Sequence, residues 1–375
     1  MLRIGIIGTG GIADAHISGY RAFPEQCEIV ALADVLPGRA AQKAEAFGLA
    51  AAAYDDPAAM IAEAGLDVVS ICTPPSTHAA LAIAALDAGI HVLVEKPMAP
   101  SLEECDAMLA AQERSGRILS VVAQNRFRDD LATLKHVVDS GLLGSISHVR
   151  VDSAWWRGLP YYDLWWRGTW EKEGGGCTLN HAIHHIDLLL WLLGRPTEIT
   201  AMLANTQHDN AEVEDLSVAV LRYDDGLAQL TSSVVHHGEE QEIVIQGANA
   251  RISQPWKVAA ERSAPNGFPV PGGDVDVVAR IEALVAEREP LAHLGHEGQI
   301  GDLLTAIRDG RAPIADGQDG RNAVEVVAAI YQAGFERRHV ALPLSSADPY
   351  YRAGQLVENA PHFHEKQRSL IEAAS

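Results

Sequence analysis

The chain has 375 residues, 47% of them hydrophobic and 21% charged, which suits two globular domains better than one. With 29 Lys+Arg against 50 Asp+Glu the formal net charge is −21, which repels phosphate backbones and argues against nucleic-acid binding. No apolar run approaches the roughly 18 residues of a membrane span, Met1–Ile7 reads as a strand rather than a leader, and four scattered cysteines without a CxxC point to reduced thiols in a cytoplasmic protein.

The first third alternates short β-branched runs with alanine-rich helical patterns. Strands are predicted at Arg3–Ile7, Glu28–Ala33, Val68–Cys72, His91–Glu95 and Ile118–Gln124, with a weaker one at Ala51–Tyr54. Helices are predicted at Ile12–Ala22, Gly38–Phe47, Pro57–Ala64, Thr77–Asp87 and Leu102–Ser115. This alternation implies βαβ units and a doubly wound parallel sheet, an α/β Rossmann domain over residues 1–123.

Between the first strand and first helix, Gly8-Thr9-Gly10-Gly11-Ile12-Ala13 fits GxGxx[GA]. The first glycine permits the tight turn, the second lets backbone approach a pyrophosphate, and the small Ala13 lets helix and strand pack closely. The helix N-terminus then offers N–H groups and a positive dipole to phosphates. Asp34, at the end of the next strand, is placed to accept from a ribose 2′-hydroxyl and to repel a 2′-phosphate, which favours NAD over NADP. Arg39 leaves some room for a 2′-phosphate, or stacks on adenine. Thr73, Pro74 and His78 follow the Val68–Cys72 strand at the sheet's carboxyl edge, where ligands bind in such folds. Glu95-Lys96-Pro97 ends the next strand at that edge, and the proline keeps Lys96 out of helical geometry and directs it into the crevice.

Residues 124–375 form the second predicted domain, α+β with an open, mainly antiparallel sheet. A helix is predicted at Leu131–Asp139, a strand at Ser145–Ala154, a helix at Asn180–Leu193, and consecutive strands from Glu198 to Ser253 with a hairpin at Asp224-Asp225-Gly226. Asn266–Gly273 reads as a loop. Helices at His296–Asp309 and Gln318–Arg338 are expected to pack back on the first domain, and the tail from Ser345 to form an arm onto a neighbouring subunit.

Gly174–Asp187 carries chemistry. At 100° per residue, a continuous helix would place Asn180, His184 and Asp187 on one stripe, an arrangement suited to moving a proton from a hydroxyl. His181, His184 and His185 also have helical ligand spacing, but without HExxH or a supporting carboxylate no metal is expected. Five of the seven tryptophans fall in Trp155–Trp170, with Arg157, Tyr161, Tyr162 and Arg167 among them. Such a loop suits a sugar, because aromatic faces cover ring C–H groups while Arg and Tyr bind hydroxyls. Arg157, Trp165 and Arg167 are therefore the candidate substrate contacts.

The ordered set Gly8–Ala13, Thr73–His78, Glu95-Lys96-Pro97, Gln124-Asn125-Arg126-Phe127, Gly168-Thr169-Trp170 and Gly174–Asp187 resembles the glucose–fructose oxidoreductase/inositol dehydrogenase (Gfo/Idh/MocA) family, from Met1 to about Pro343. The resemblance implies NAD(P)-dependent redox chemistry on a sugar or cyclitol, and a homodimer or homotetramer built through the C-terminal sheets. It implies a catalytic lysine at Lys96 and a catalytic histidine at His184, with Asn180 where many relatives carry Asp. Glu95 and Gln124 join the cofactor side. Tyr331, in the late helical stretch, joins Lys96, Asn180 and His184 on the substrate side. Two other classes stay open at this point: an NAD-dependent glycosidase that oxidises transiently, and a non-catalytic NAD-sensing regulator.

Overall fold

The computed structural model describes residues 1–370. Its first part runs β1 (Leu2–Ile7), α1 (Ala13–Arg21), β2 (Cys27–Ala33), α2 (Arg39–Ala46), β3 (Ala52–Tyr54), α3 (Pro57–Glu63), β4 (Val68–Ile71), α4 (His78–Asp87), β5 (His91–Val94), α5 (Leu102–Ser115) and β6 (Leu119–Val121). The strands pair in parallel in the order β3-β2-β1-β4-β5-β6, the Rossmann order. β4 and most of β1 are buried on both faces, which is why they read as unbroken apolar runs rather than alternating ones. The helix ends follow local chemistry. Ser101 Oγ accepts from the Glu104 N–H at 3.2 Å to start α5, and Gly116, with φ 64°, ends it.

The second part continues with α6 (Asp129–Asp139), β7 (Ile146–Trp156), α7 (Cys177–Asn180), α8 (Ile183–Leu193), β8 (Glu198–Ala204), β9 (Leu216–Arg222), β10 (Leu227–Ser233), β11 (Val235–Gly247), β12 (Arg251–Gln254), β13 (Lys257–Ala259), α9 (Val275–Glu287), α10 (Gly295–Asp309), α11 (Gly317–Glu336), β14 (Val340–Ala341) and α12 (Gln355–Asn359). Its eight strands form one sheet, β13-β12-β11-β7-β10-β9-β8-β14. Every pairing is antiparallel except β7 with β10, so the sheet is mixed but mostly antiparallel. Alternation sorts its faces: Ile199, Ala219, Leu221 and Leu230 are buried, while Met202, Val218 and Val220 face outward.

Two helices return to the first part. Ile300, Leu303 and Leu304 of α10 join the core beneath α1, where Gly19 leaves room for Ile300. Gly320 of α11 sits against Val121 of β6 so closely that a Cβ there would meet a side-chain atom at 2.5 Å. None of the described helices is long and apolar enough to cross a membrane.

Two expectations need correction. Helix α9 was not anticipated. The Asn180–Leu193 helix is interrupted at His181–Ala182, so Asn180 ends α7 while His184 and Asp187 belong to α8. In the tail, residues 361–370 lie against the chain's own tryptophan-rich loop, and residues 371–375 fall outside the described region.

Candidate active site

Gly8 makes the first turn of the glycine loop with φ 87°, and a Cβ there would lie 2.6 Å from the Cys72 carbonyl oxygen. Gly10 and Gly11 face open space, with nothing within 4 Å of where a Cβ would stand. α1 begins at Ala13, and its N-cap, Ile12, offers no side-chain bond; the Ala13, Asp14 and Ala15 N–H groups turn back to the carbonyls of Gly10, Gly11 and Ile12 at 3.3, 3.3 and 3.1 Å, which leaves the positive end of the helix facing the open glycine loop. Thr9 is used otherwise than expected. It is buried, and its N–H and Oγ1 donate to Asp34 Oδ2 at 2.8 and 2.7 Å. Asp34 Oδ1 accepts from the Leu36 N–H at 3.0 Å. Burial pushes the Asp34 carboxyl up, but these bonds and the Arg39 charge outweigh it and hold the group below the usual range, ionised. Val35 and Leu36 are exposed beside it, an apolar shelf next to the carboxylate, and Arg39 is exposed at the start of α2. Thr73 and Pro74 are accessible on the β4–α4 turn. Gln124 Oε1 is buried without a partner, an orphan acceptor at the end of β6. An open glycine loop, an uncapped helix start, an ionised strand-end Asp and an orphan amide oxygen together fit a dinucleotide.

His78 and Glu95 do not face that crevice. His78 is buried with Nδ1 at 2.9 Å from Pro97 O and Nε2 at 2.8 Å from Thr73 O, so it splints the two loops. Glu95 is buried under the crevice, its Oε1 3.0 Å from His16 Nε2 and 3.5 Å from His296 Nε2. Burial raises the Glu95 carboxyl, but the two imidazoles outweigh that and hold it well below its normal range. His16 Nδ1 in turn meets Ser70 Oγ at 3.1 Å, and Ser70 Oγ meets Tyr20 OH at 2.9 Å. The network ties α1, β5 and α10 together. Among the described residues it is also the one His/Cys/Asp/Glu group close enough to share an ion; His181, His184 and His185 do not converge on one.

Lys96 leaves β5 into the cleft between the two parts, where its Nζ donates to the Asn180 carbonyl at 3.2 Å. Lys96 and His184 line one cavity of about 20 Å³, room for a water molecule, together with Asn125, Asp187 and Asp319. Burial lowers the Lys96 pKa from its usual value against the opposing pull of Glu95. His184 is driven well below the usual imidazole range by burial, and then by the Lys96 charge, and so is neutral. A neutral imidazole beside an ammonium is a base paired with a hydrogen-bond donor.

The start of α7 has a distant anchor. Glu214 is buried and accepts from the Gly176 N–H at 3.2 Å and the Thr178 N–H at 2.9 Å, holding the start of α7. Asn180 Nδ2 donates to the Gly175 and Gly176 carbonyls at 2.8 and 3.2 Å. The Asn180 side chain thus closes the glycine turn, and it is the backbone of this residue that meets Lys96. Asp187 is gripped by Arg126, Nε to Oδ2 at 3.0 Å and Nη2 to Oδ1 at 2.7 Å. Tyr331 is removed from the substrate side: it is fully buried, its hydroxyl donating to Glu214 Oε1 at 3.1 Å and accepting from the Gly176 N–H at 3.1 Å.

The tryptophan-rich stretch divides. Trp170 is core, packed edge-on against Tyr331 and Phe335, whereas Trp156 and Trp165 are exposed. Arg167 lies 4.1 Å from the centroids of both Tyr161 and Trp166, hydrogen-bonds Tyr161 OH, and pairs with Glu173 at 2.9 Å. Burial nonetheless raises Glu173 to about 7. Arg157 covers Trp155 and pairs with Glu239 at 2.9 Å. His181, not singled out from the sequence as a substrate contact, sits between Tyr161 OH (3.4 Å) and the Trp155 ring. Burial and three neighbouring cations bring its pKa down to about 3. Its only sequence signal was its place in the glycine-histidine segment.

Known proteins match this architecture. A profile described as "Oxidoreductase family, NAD-binding Rossmann fold" covers residues 2–123, and the GFO/IDH/MocA C-terminal domain covers residues 131–253. D-glucoside 3-dehydrogenase of Escherichia coli is 33% identical over 195 residues, 52% of this chain and 55%, about half, of that protein. Myo-inositol 2-dehydrogenase of Thermotoga maritima is 25% identical over 347 residues, 91% of this chain and 98% of that one. The WlbA dehydrogenase from Bordetella pertussis, solved with NADH and UDP-GlcNAcA, superposes with a TM-score of 0.76 at 27% identity, covering 92% of this chain and 99% of that chain.

Proposed function

The chain belongs to the Gfo/Idh/MocA family of NAD-binding oxidoreductases, and from that premise we propose that it oxidises a secondary or anomeric hydroxyl of a sugar, sugar derivative or cyclitol, passing the hydride to nicotinamide. The observation that carries this reading is Lys96 and His184 on one cavity, one from each half of the molecule, with burial lowering both pKa values and keeping the imidazole neutral. A substrate hydroxyl between them gives its proton to the imidazole and accepts a hydrogen bond from the ammonium, which stabilises the developing oxyanion. When bound, NAD supplies the hydride acceptor. The glycine loop, Asp34 with the Val35–Leu36 shelf, Thr73, Pro74 and Gln124 would hold it. Asp34, fixed by Thr9 and ionised, disfavours a 2′-phosphate and so favours NAD over NADP. Trp155, Tyr161, Arg157, Arg167 and His181 offer the substrate aromatic faces and hydroxyl partners, as the tryptophan-rich sequence suggested.

Relatives named for glucosides and inositol support a polyhydroxylated ring. Free buried thiols at Cys27, Cys72, Cys105 and Cys177 suit a reducing compartment, the cytoplasm. The outward face of the second sheet, with Met202, Val218, Val220 and Leu227 side by side, suits a homo-oligomer formed through that sheet. The test is NADH formation across inositols, aldoses and glycosides with NAD and NADP in parallel. Net NADH accumulation on at least one cyclic polyol, with higher kcat/KM for NAD, is expected. Glycoside cleavage without NADH accumulation, or no turnover at all, contradicts the dehydrogenase reading.

A further inference from the structure

We propose that the segment Pro361–Leu370 is a positioning strap for the substrate loop, seated by Asn210, and that the substrate wall of the site keeps its shape through it. The idea rests on the reading of the Trp155–Trp170 stretch as substrate-facing. The backbone from Tyr162 to Trp165 finds its partners in this segment as well as in its own loop. The Trp165 N–H donates to Leu370 O at 2.8 Å, the Leu370 N–H donates to Asp163 O at 2.7 Å, and Lys366 Nζ donates to the carbonyls of Tyr162 and of Leu164. Arg368 Nε adds a bond to Asp163 Oδ1 at 2.9 Å.

Asn210 is the hub. It is 1% exposed, and its Oδ1 accepts from the N–H groups of Gln367 and Arg368, both at 2.8 Å. Its Nδ2 donates toward Tyr162 O at 3.1 Å, Asp163 Oδ1 at 2.9 Å and Arg368 O at 3.0 Å. One buried amide therefore clamps strap and loop together, with both ends of its side chain satisfied.

On the other side of this backbone is the site. Tyr161, adjacent to the clamped Tyr162, meets His181 and Arg167, and Arg167 holds Glu173. The loop from Leu159 to Asp163 is a 3₁₀ turn with few bonds of its own, so its conformation depends on what it is fastened to. A shift of the strap thus reaches the substrate groups through a single residue, without touching the glycine loop or Asp34.

Two variants test this. One ends the chain at His364, which keeps the Trp170 bond to Pro361 O and the Phe363 bond to Glu212 O but removes Lys366, Arg368 and Leu370. The other is Lys366→Ala/Arg368→Ala in the full chain. Hydrogen–deuterium exchange is expected to speed up about ten-fold or more at amides 159–167 in both, with β1 and α1 unchanged. KM for the sugar found by the substrate panel is expected to rise about five-fold or more, with NADH affinity unaltered. Unchanged exchange at 159–167, or faster exchange with an unchanged sugar KM, overturns the proposal. If no sugar of the panel is turned over, the proposed reaction fails, and the exchange data alone decide whether the strap holds the loop.

Discussion

At the residue scale, the proposed reaction rests on burial acting oppositely on two functions of one pair. Desolvation disfavours charge, so it keeps His184 neutral and also makes Lys96 a readier proton donor. The sign of the pH dependence follows. A histidine with a lowered pKa stays a competent base below its usual value of about 6.5, and a lysine with a lowered pKa loses its proton below its usual value of about 10.4. The acidic limb of kcat/KM is expected below pH 6.5 and the alkaline limb below 10.4; an acidic limb above 6.5 would mean that another group governs it. Asn180 makes a second case. Had the helix been continuous, Asn180→Asp would have given the His184 imidazole a carboxylate neighbour and raised its pKa. In the folded chain the same change sets a carboxylate against the Gly175 and Gly176 carbonyls and deletes two donated bonds. It is expected to lower stability by about 1–3 kcal/mol in urea denaturation, with the acidic limb little moved. A more stable Asn180→Asp protein would contradict this account.

At the element scale, the features readable from sequence were those set by local periodicity. The Rossmann strands and helices carry their own patterns, so strand β1, the glycine loop and helix α1 were legible, as was the Glu95-Lys96-Pro97 strand end. Helix α9 was legible in principle, with apolar residues at Val275, Val277, Val278, Ile281, Leu284 and Val285 and an Asp274 cap, but its valines favour a strand reading after the Pro/Gly loop. The short helix α7 was not legible as a separate element, because its start is anchored by Glu214 from more than thirty residues away in sequence. Tyr331 went astray for the same reason: only tertiary packing shows that its hydroxyl belongs to Glu214. The element that carries His184 is anchored similarly, by Arg126, which is 4% exposed and bridges Asp187 of α8, Asp319 of α11 and the Ile314 carbonyl. Arg126→Met leaves the Asp187 carboxylate buried without its cation, and a loss of about 3–5 kcal/mol is expected by chemical denaturation. A change under about 1 kcal/mol would show that α8 is held by packing alone.

At the scale of the whole molecule, the two halves meet where the proposed chemistry lies. The Rossmann sheet delivers Lys96, α8 delivers His184, and α10 and α11 lock the halves by packing back on α1 and β6. The large sheet packs against α6, α7 and α11 and leaves its other face, apolar around Met202, to solvent or to a second copy of the chain. Light scattering is expected to show a dimer or tetramer, and Met202→Glu/Val220→Glu a smaller species; a monomeric parent protein would remove that role from the sheet. The most direct measurement on the account as a whole compares the kcat of Lys96→Ala, His184→Ala and the double variant with their affinity for NADH. Each single change is expected to lower kcat by about 10²–10⁴-fold with NADH still bound, and the double variant to be little worse than either, because the two groups act on one oxygen. A fully active Lys96→Ala or His184→Ala protein, or losses that simply multiply in the double variant, would contradict it.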